Sequence, residues 1–283
     1  MTNPDSESGL GSRGGLRRTL ANSFNLDCGP SALRTMPRTP THPLAEHPLD
    51  QLPGKPQCSV VSWGRTYLSA VMLENSLRQC ASYIKGKLLD VGCGQRPYEK
   101  TFFAGATEYL GVDRLSDRSR PDVVCSALGL PFAEEVFDTV VSTEVLEHVP
   151  EPLLALREMR RVLKPGGCLI LSTPMYWPRH DLPYDFFRYP YDGLLHLVNQ
   201  SGLELTKLFN RGRSYAYLGQ VLQHIQPLSA RPVNWLINRF FLWCDRHLKH
   251  DTLTLGWTLV ARKAERPCHS TAEPSPGFGK QPH

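Results

Sequence analysis

Asp90, Gly92, Gly94 and Asp113 are the residues of this chain whose types and spacing could do chemistry. The first three stand in LLDVGCGQRPY (88–98), an apolar run that ends in Gly-x-Gly; the fourth closes the next apolar run, EYLGVD. Glycine has no Cβ, so a bound molecule can approach the main chain closely. A carboxylate at the end of a second strand can accept hydrogen bonds from both hydroxyls of a ribose. These features fit NAD and other adenosine ligands equally. Two details separate them. Pro97 stands where a dinucleotide fingerprint carries its third glycine. Asp90 puts a negative charge at the mouth of the sheet, which repels a pyrophosphate and favours the sulfonium or ammonium of a methionine moiety. Charge therefore favours S-adenosylmethionine over NAD.

A second group of residues could handle a methyl acceptor. His148, in LEHV, follows a strand on the ligand side, and imidazole is the commonest general base. The plainer reading is a histidine that orders the start of a helix. The stretch MYWPRHDLPYDFFRYP (175–190) mixes aromatic rings with His180, Asp181, Asp185 and Arg188. Such a loop reads as an acceptor pocket and lid, with Tyr184, Asp185 and Arg188 as candidate catalytic residues beside His148. The competing reading is a packing loop whose Asp185–Arg188 pair only locks its shape.

These residues need a scaffold, and the rest of the pattern supplies one. Leu73, Leu77, Cys80 and Ile84 recur at helical spacing ahead of the glycine motif. KLLDVG, EYLGVD, DVVC, FDTVVS, CLILST, LELTKLF and LGWTLVARK read as strands. PYEKTFF reads as a short helix. PEPLLALREMRRVL reads as an amphipathic helix with Leu156, Met159 and Leu163 on one face, ended by LKPGG. Alternating strands and helices imply an α/β, Rossmann-like doubly wound fold, with a mostly parallel seven-stranded sheet and helices on both faces. Ligands of such sheets sit past the carboxyl ends of the strands, which is where the glycine motif falls. Asp138, just before a strand, reads as a structural turn carboxylate.

The ordered series LLDVGCG, YLGVD, LPFAEEVFDTVVSTEVLEHVPEP and LKPGGCLILSTP resembles the class I S-adenosylmethionine-dependent methyltransferases, in particular the broad type 11-like group. The resemblance implies that Asp90, Gly92 and Gly94 cradle the methionine half of the cofactor and that Asp113 binds the ribose. It implies adenine contacts from Ser126, Ala127 and Leu128, with Ser126 standing where the family usually has an acid. It implies that Thr143 offers backbone to the amino group. The expected activity is methyl transfer from S-adenosylmethionine to a small-molecule, lipid or glycan acceptor, most simply at a hydroxyl. A cofactor-binding scaffold without turnover and an NAD-linked oxidoreductase are the rivals.

Composition narrows the setting. The chain has 283 residues, 41% of them hydrophobic, and a net charge of +5. No arginine block or basic stripe points to nucleic acid. No apolar run approaches the ~20 residues needed to cross a bilayer. Eight cysteines without a C-x-x-C pair read as reduced thiols, so the expected compartment is cytoplasmic and no metal ligand is assigned. Residues 1–57 and 265–283 read as disordered ends flanking a methyltransferase domain at 58–264. An organelle transit peptide is set aside because Asp5 and Glu7 interrupt the basic N-terminus. Residues 211–251 read as an inserted helical cap. Its stripe Leu236, Phe240 and Trp243 is expected to pack over the acceptor site or against a second subunit. The alternative is a peripheral membrane contact through 231–249, whose flanks carry Arg231, Arg239, Arg246 and Lys249.

Overall fold

The computed structural model describes residues 62–115, 117, 119–227 and 230–265, all within one contact unit, Ala45–His283. The expected leader at 1–57 and, apart from Glu265, the expected tail lie outside the described residues. The strands are β1 (Lys87–Val91), β2 (Glu108–Asp113), β3 (Val123–Val124), β4 (Phe137–Thr143), β5 (Leu163–Pro174), β6 (Leu203–Asn210) and β7 (Gly256–Lys263). They form one sheet in the order β3-β2-β1-β4-β5-β7-β6. β7 runs antiparallel to β5 and β6; the remaining pairings are parallel.

Strand alternation divides the core. Leu88, Val141, Ile170 and Val260 face the helix α1 (Tyr67–Cys80), where Leu73 and Leu77 cover them. Leu89, Val140, Leu169 and Leu259 face the opposite way, toward Leu156 and Met159 of α2 (Pro152–Val162) and Leu194 and Val198 of α3 (Tyr191–Gln200). Both faces are therefore covered, as a parallel sheet of short apolar strands requires. Chain order reverses between β1 and β4, which opens a crevice at their carboxyl ends.

α2 also fixes the LPF segment. Arg161 pairs with Glu158 and donates to the carbonyls of Leu130 and Phe132, while Glu158 accepts from the Leu130 amide at 2.9 Å. Asp138 is structural, accepting from the Lys87 amide and from Lys164, each at 2.9 Å. Two local expectations change. PYEKTFF forms turns that bury Phe102 and Phe103 and is not a helix. LKPGG belongs to β5, because Leu163 pairs with Phe137 ahead of an irregularity in the ladder. α3 was not anticipated.

Residues 211–251 form α4 (Ser214–Ile225) and α5 (Arg231–Leu248), which pack on each other. Within this chain the aromatic stripe does not pack inward. Leu236 and Phe240 are each 59% exposed and Trp243 56%. The stripe that faces inward is largely polar: Asn234, Asn238, Leu242 and Asp245. Asn238 accepts from Gln223 and donates to the carbonyls of Ser62 and Gly64; Asp245 accepts from the Arg213 and Ala216 amides that open α4. Directional bonds orient α5, overriding what its apolar pattern would dictate. Among the described residues no helix is long and apolar enough to cross a membrane.

This arrangement separates two substitutions. Asn238→Ala leaves buried groups without partners and should cost about 2–3 kcal/mol of unfolding free energy in urea titrations. Phe240→Ser should change it by less than about 0.5 kcal/mol. A large loss in the second would mean that the outer face carries packing after all.

Candidate active site

The crevice past β1, β2 and β4 has a volume of about 790 Å³, in the range of small-molecule sites. Its floor is the loop after β1. The amides of Gly92 and Cys93 both donate to the Val112 carbonyl, at 2.8 and 3.0 Å, which folds the loop over the end of β2. Gly92 has φ +79°, and a Cβ there would lie 2.2 Å from a Val145 methyl. Its missing side chain makes room for protein. Gly94 has φ +51° and nothing within 4 Å of where a Cβ would stand, so its backbone is open to a ligand.

Asp113 holds this loop to the next. One carboxylate oxygen accepts from the Gly94 amide and the other from the Leu115 amide, each at 3.1 Å. A carboxylate has about four lone-pair positions, so two remain for a ribose. Ser126, Ala127 and Leu128 line the crevice beyond Asp113. The Ser126 hydroxyl accepts from the Leu128 amide at 3.2 Å, which leaves its proton to donate.

Two sequence-assigned cofactor residues do not line the crevice. Thr143 stops short of it, and Glu144 and Val145 take the place expected of Thr143. Asp90 is not at the mouth of the sheet. It is 3% exposed, accepts from the Tyr109 hydroxyl at 2.7 Å, and has a second oxygen without a hydrogen-bond partner among the described residues. Burial pushes its carboxyl up to about 7, against weaker opposing pulls from Tyr109 and Arg96. Its side chain alternates with those that face the crevice, so direct charge selection by Asp90 does not hold.

Glu144 was missed as a site residue, although its place at the end of β4 was a usable signal. Arg211, 1% exposed at the end of β6, grips both its oxygens at 2.7 and 3.1 Å, and the Ser172 hydroxyl donates to it at 2.8 Å. This pair pins the turn that delivers Val145 and His148.

The 175–190 stretch divides in two. Tyr184, Phe186, Asp181 and Leu182 line the crevice, and the Arg114 guanidinium lies 3.9 Å from the Tyr184 ring centroid, a cation–π contact across the opening. Asp185 and Arg188 do not line it. They form a bidentate pair at 2.6 and 2.9 Å, and Arg188 donates its other N–H groups to the carbonyls of Trp177, Pro178 and Phe187. That pairing holds the Asp185 carboxyl well below the usual carboxylate range. These contacts are those of the shape-locking reading.

His148 does line the crevice. Its Nδ1 lies 2.6 Å from the Tyr184 carbonyl, so Nδ1 carries the proton and Nε2 keeps a lone pair. Glu147 beside it is buried, and burial together with the nearby Glu144 charge holds its carboxyl well above the usual range. No residue of α4 or α5 lines the crevice; α4 reaches the 175–190 stretch instead, where Tyr217 and His224 pack against Tyr176 and Trp177.

The Asp90 shift has a stability consequence. The folded-state value of about 7 lies above the ordinary 3.8, so the unfolded chain loses this proton first as pH rises. Stability from this group is therefore full below about pH 4 and drains away up to about pH 7. Asp90→Asn should raise unfolding free energy at pH 8 by up to roughly 4 kcal/mol and change it little at pH 4. Denaturant titrations at both pH values measure this, and an equal effect at both would remove the shift.

Known proteins resemble part of this chain. A methyltransferase domain model matches residues 89–171. An uncharacterized methyltransferase of Mycobacterium leprae (strain TN) is 36% identical over 100 residues, covering 31% of this chain and 37% of that protein. One from Mycobacterium tuberculosis (strain ATCC 25618 / H37Rv) is 38% identical over 100 residues, covering 31% and 39%. The chain thus spans about two fifths of the length of the curated relatives it matches. A chain of the complex between the Haloferax volcanii Trm112 methyltransferase activator and a methyltransferase shares the fold, at 16% identity and a TM-score of 0.50, over 72% of this chain and 93% of that one. The loop after β1 and the ends of β2 and β4 fall in the matched stretch, while Asp181, Leu182, Tyr184 and Phe186 of the crevice lie beyond it; residues 89–171 are thus similar to a methyltransferase domain, on a Rossmann-like fold.

Proposed function

We propose that the chain transfers a methyl group from S-adenosylmethionine to a hydroxyl of a small molecule, lipid or glycan. The observation that carries this reading is the crevice itself, with cofactor-type groups on one rim and polar, aromatic lid groups on the other. The cofactor rim fits. Gly94 leaves backbone open where a Cβ would stand, Asp113 keeps two lone-pair positions, and Ser126, Ala127 and Leu128 form a wall for an adenine ring. Bound there, S-adenosylmethionine supplies a methyl group on a sulfonium sulfur, already activated for displacement.

The chain's own part is to orient, to exclude water and to manage one proton. Orientation alone can contribute ~7–11 kcal/mol to such a reaction. Tyr184 and Phe186 cover the lid side, and the Arg114–Tyr184 contact closes the rim. His148 Nε2, 3.8 Å from a Glu147 carboxyl oxygen, can take the hydroxyl proton, a role worth roughly 10²–10⁴ in rate. Asp185 and Arg188 act as a brace that keeps Tyr184 and the His148 ring in register. The exposed face of α5 supports a finer reading, in which the acceptor is amphiphilic and meets the enzyme at an anionic lipid surface. Trp235, Leu236, Phe240 and Trp243 face outward beside Arg239 and Arg246, the mixture of an interfacial helix.

Two measurements test this. In calorimetry with S-adenosylhomocysteine the protein should bind, and Asp113→Ala should weaken binding tenfold or more, given ~1.5–3 kcal/mol for bonds to a charged acceptor. Binding of NADH instead would point to an oxidoreductase; binding with no methylated product across alcohol, glycan and lipid panels would point to a scaffold. In co-sedimentation, vesicles with phosphatidylglycerol should retain the protein and phosphatidylcholine vesicles should not, and Phe240→Glu with Trp243→Glu should release it. Equal retention on both vesicle types, or no effect of the double variant, would end the lipid reading.

A further inference from the structure

Glu147, His148 and His180 come together at the lid side of the crevice, each offering a ligand atom within 4.8 Å of the others. The sequence gives little hint of this, since His180 lies a whole helix and strand beyond the other two. Their geometry goes further than proximity. The His148 Nδ1 is engaged with the Tyr184 carbonyl at 2.6 Å, and the His180 Nδ1 lies 3.2 Å from the Pro178 carbonyl and 3.6 Å from Asp185. Both imidazoles thus carry their proton on Nδ1 and hold Nε2 free of it. A backbone carbonyl or carboxylate behind each ring is the support that metal-binding histidines use to fix tautomer and direction. The two rings meet edge to face, with centroids 4.6 Å apart. Glu147 completes the set from beneath. One of its oxygens lies 3.8 Å from His148 Nε2, and the other is buried without a hydrogen-bond partner among the described residues. Its side chain is 1% exposed. A buried, unsatisfied oxygen beside two correctly protonated imidazoles lacks one thing, a shared positive partner.

We propose that Glu147, His148 and His180 bind a divalent transition-metal cation, with open coordination positions toward the crevice. Two imidazoles and one carboxylate suit zinc, manganese or ferrous iron far better than calcium or magnesium. Under the function proposed above, the cation holds the acceptor oxygen and eases loss of its proton, the task otherwise left to the lone pair of His148. Binding itself does not depend on that reading.

The test uses the full chain, stripped with chelator and titrated with Zn²⁺ by calorimetry and with Co²⁺ by visible absorption. One site is expected whose Co²⁺ spectrum shows nitrogen and oxygen ligation. His180→Ala and Glu147→Gln should each weaken it by more than about tenfold. Thermal unfolding checks that both variants fold, and His180→Ala should keep its affinity for S-adenosylhomocysteine. No saturable site, or one equally tight in both variants, overturns the proposal. A Co²⁺ spectrum dominated by sulfur ligation does so too, by moving the ion to the cysteines. Loss of S-adenosylhomocysteine binding by the unmodified chain would instead count against methyl transfer and leave the metal titration standing as its own result.

Discussion

The carboxylate of Asp113 decides whether the crevice has a shape at all. Its two oxygens hold the amides of Gly94 and Leu115, and so tie the loop after β1 to the loop after β2. That tie fixes the Gly94 amide at the opening, while the Arg120 amide holds the Gly94 carbonyl at 2.8 Å. The same carboxylate is the group suited to a ribose, so building the rim and binding at it draw on one set of lone pairs. A carboxylate can do both because it accepts more than two hydrogen bonds.

A second constraint acts from the far side. Arg211 is a fully buried cation, which is costly unless paired. Glu144 meets it at the end of β4 and accepts a further bond from Ser172 of β5; Glu144 adopts φ +54°, an uncommon conformation for a residue with a side chain. β6, β5 and β4 are thereby joined at one corner, and His148 follows four residues later. The lid is held by different means. Asp185 and Arg188 lock their own segment, and the Glu147 carbonyl accepts the Phe186 and Phe187 amides. Positioning thus comes from buried charge pairs, while the aromatic residues supply coverage.

Much of this was legible in the sequence. Short apolar strands such as KLLDVG and FDTVVS have few alternatives once both faces must be covered, so the doubly wound sheet followed from pattern alone. Gly94, Asp113 and the Ser126–Leu128 wall were readable because their spacing is set by that sheet. Asp90 was misplaced because strand alternation was not carried through to its side chain: Leu89 and Val91 face one way, Leu88 and Asp90 the other. The Glu147–His148–His180 cluster was invisible, since nothing local in RHDLPYD says that its histidine returns to LEHV. The orientation of α5 differs from the sequence reading because apolar periodicity does not mark its buried face, which Asn238 and Asp245 share.

That orientation separates two properties usually tied together. In most helices the same apolar side chains both hold the fold and set how sticky the surface is. In α5 the asparagines and Asp245 do the first job, and Trp235, Phe240 and Trp243 are released from it. Their identities can change without threatening foldedness, so substitutions there alter the surface that the molecule presents and leave its stability in place.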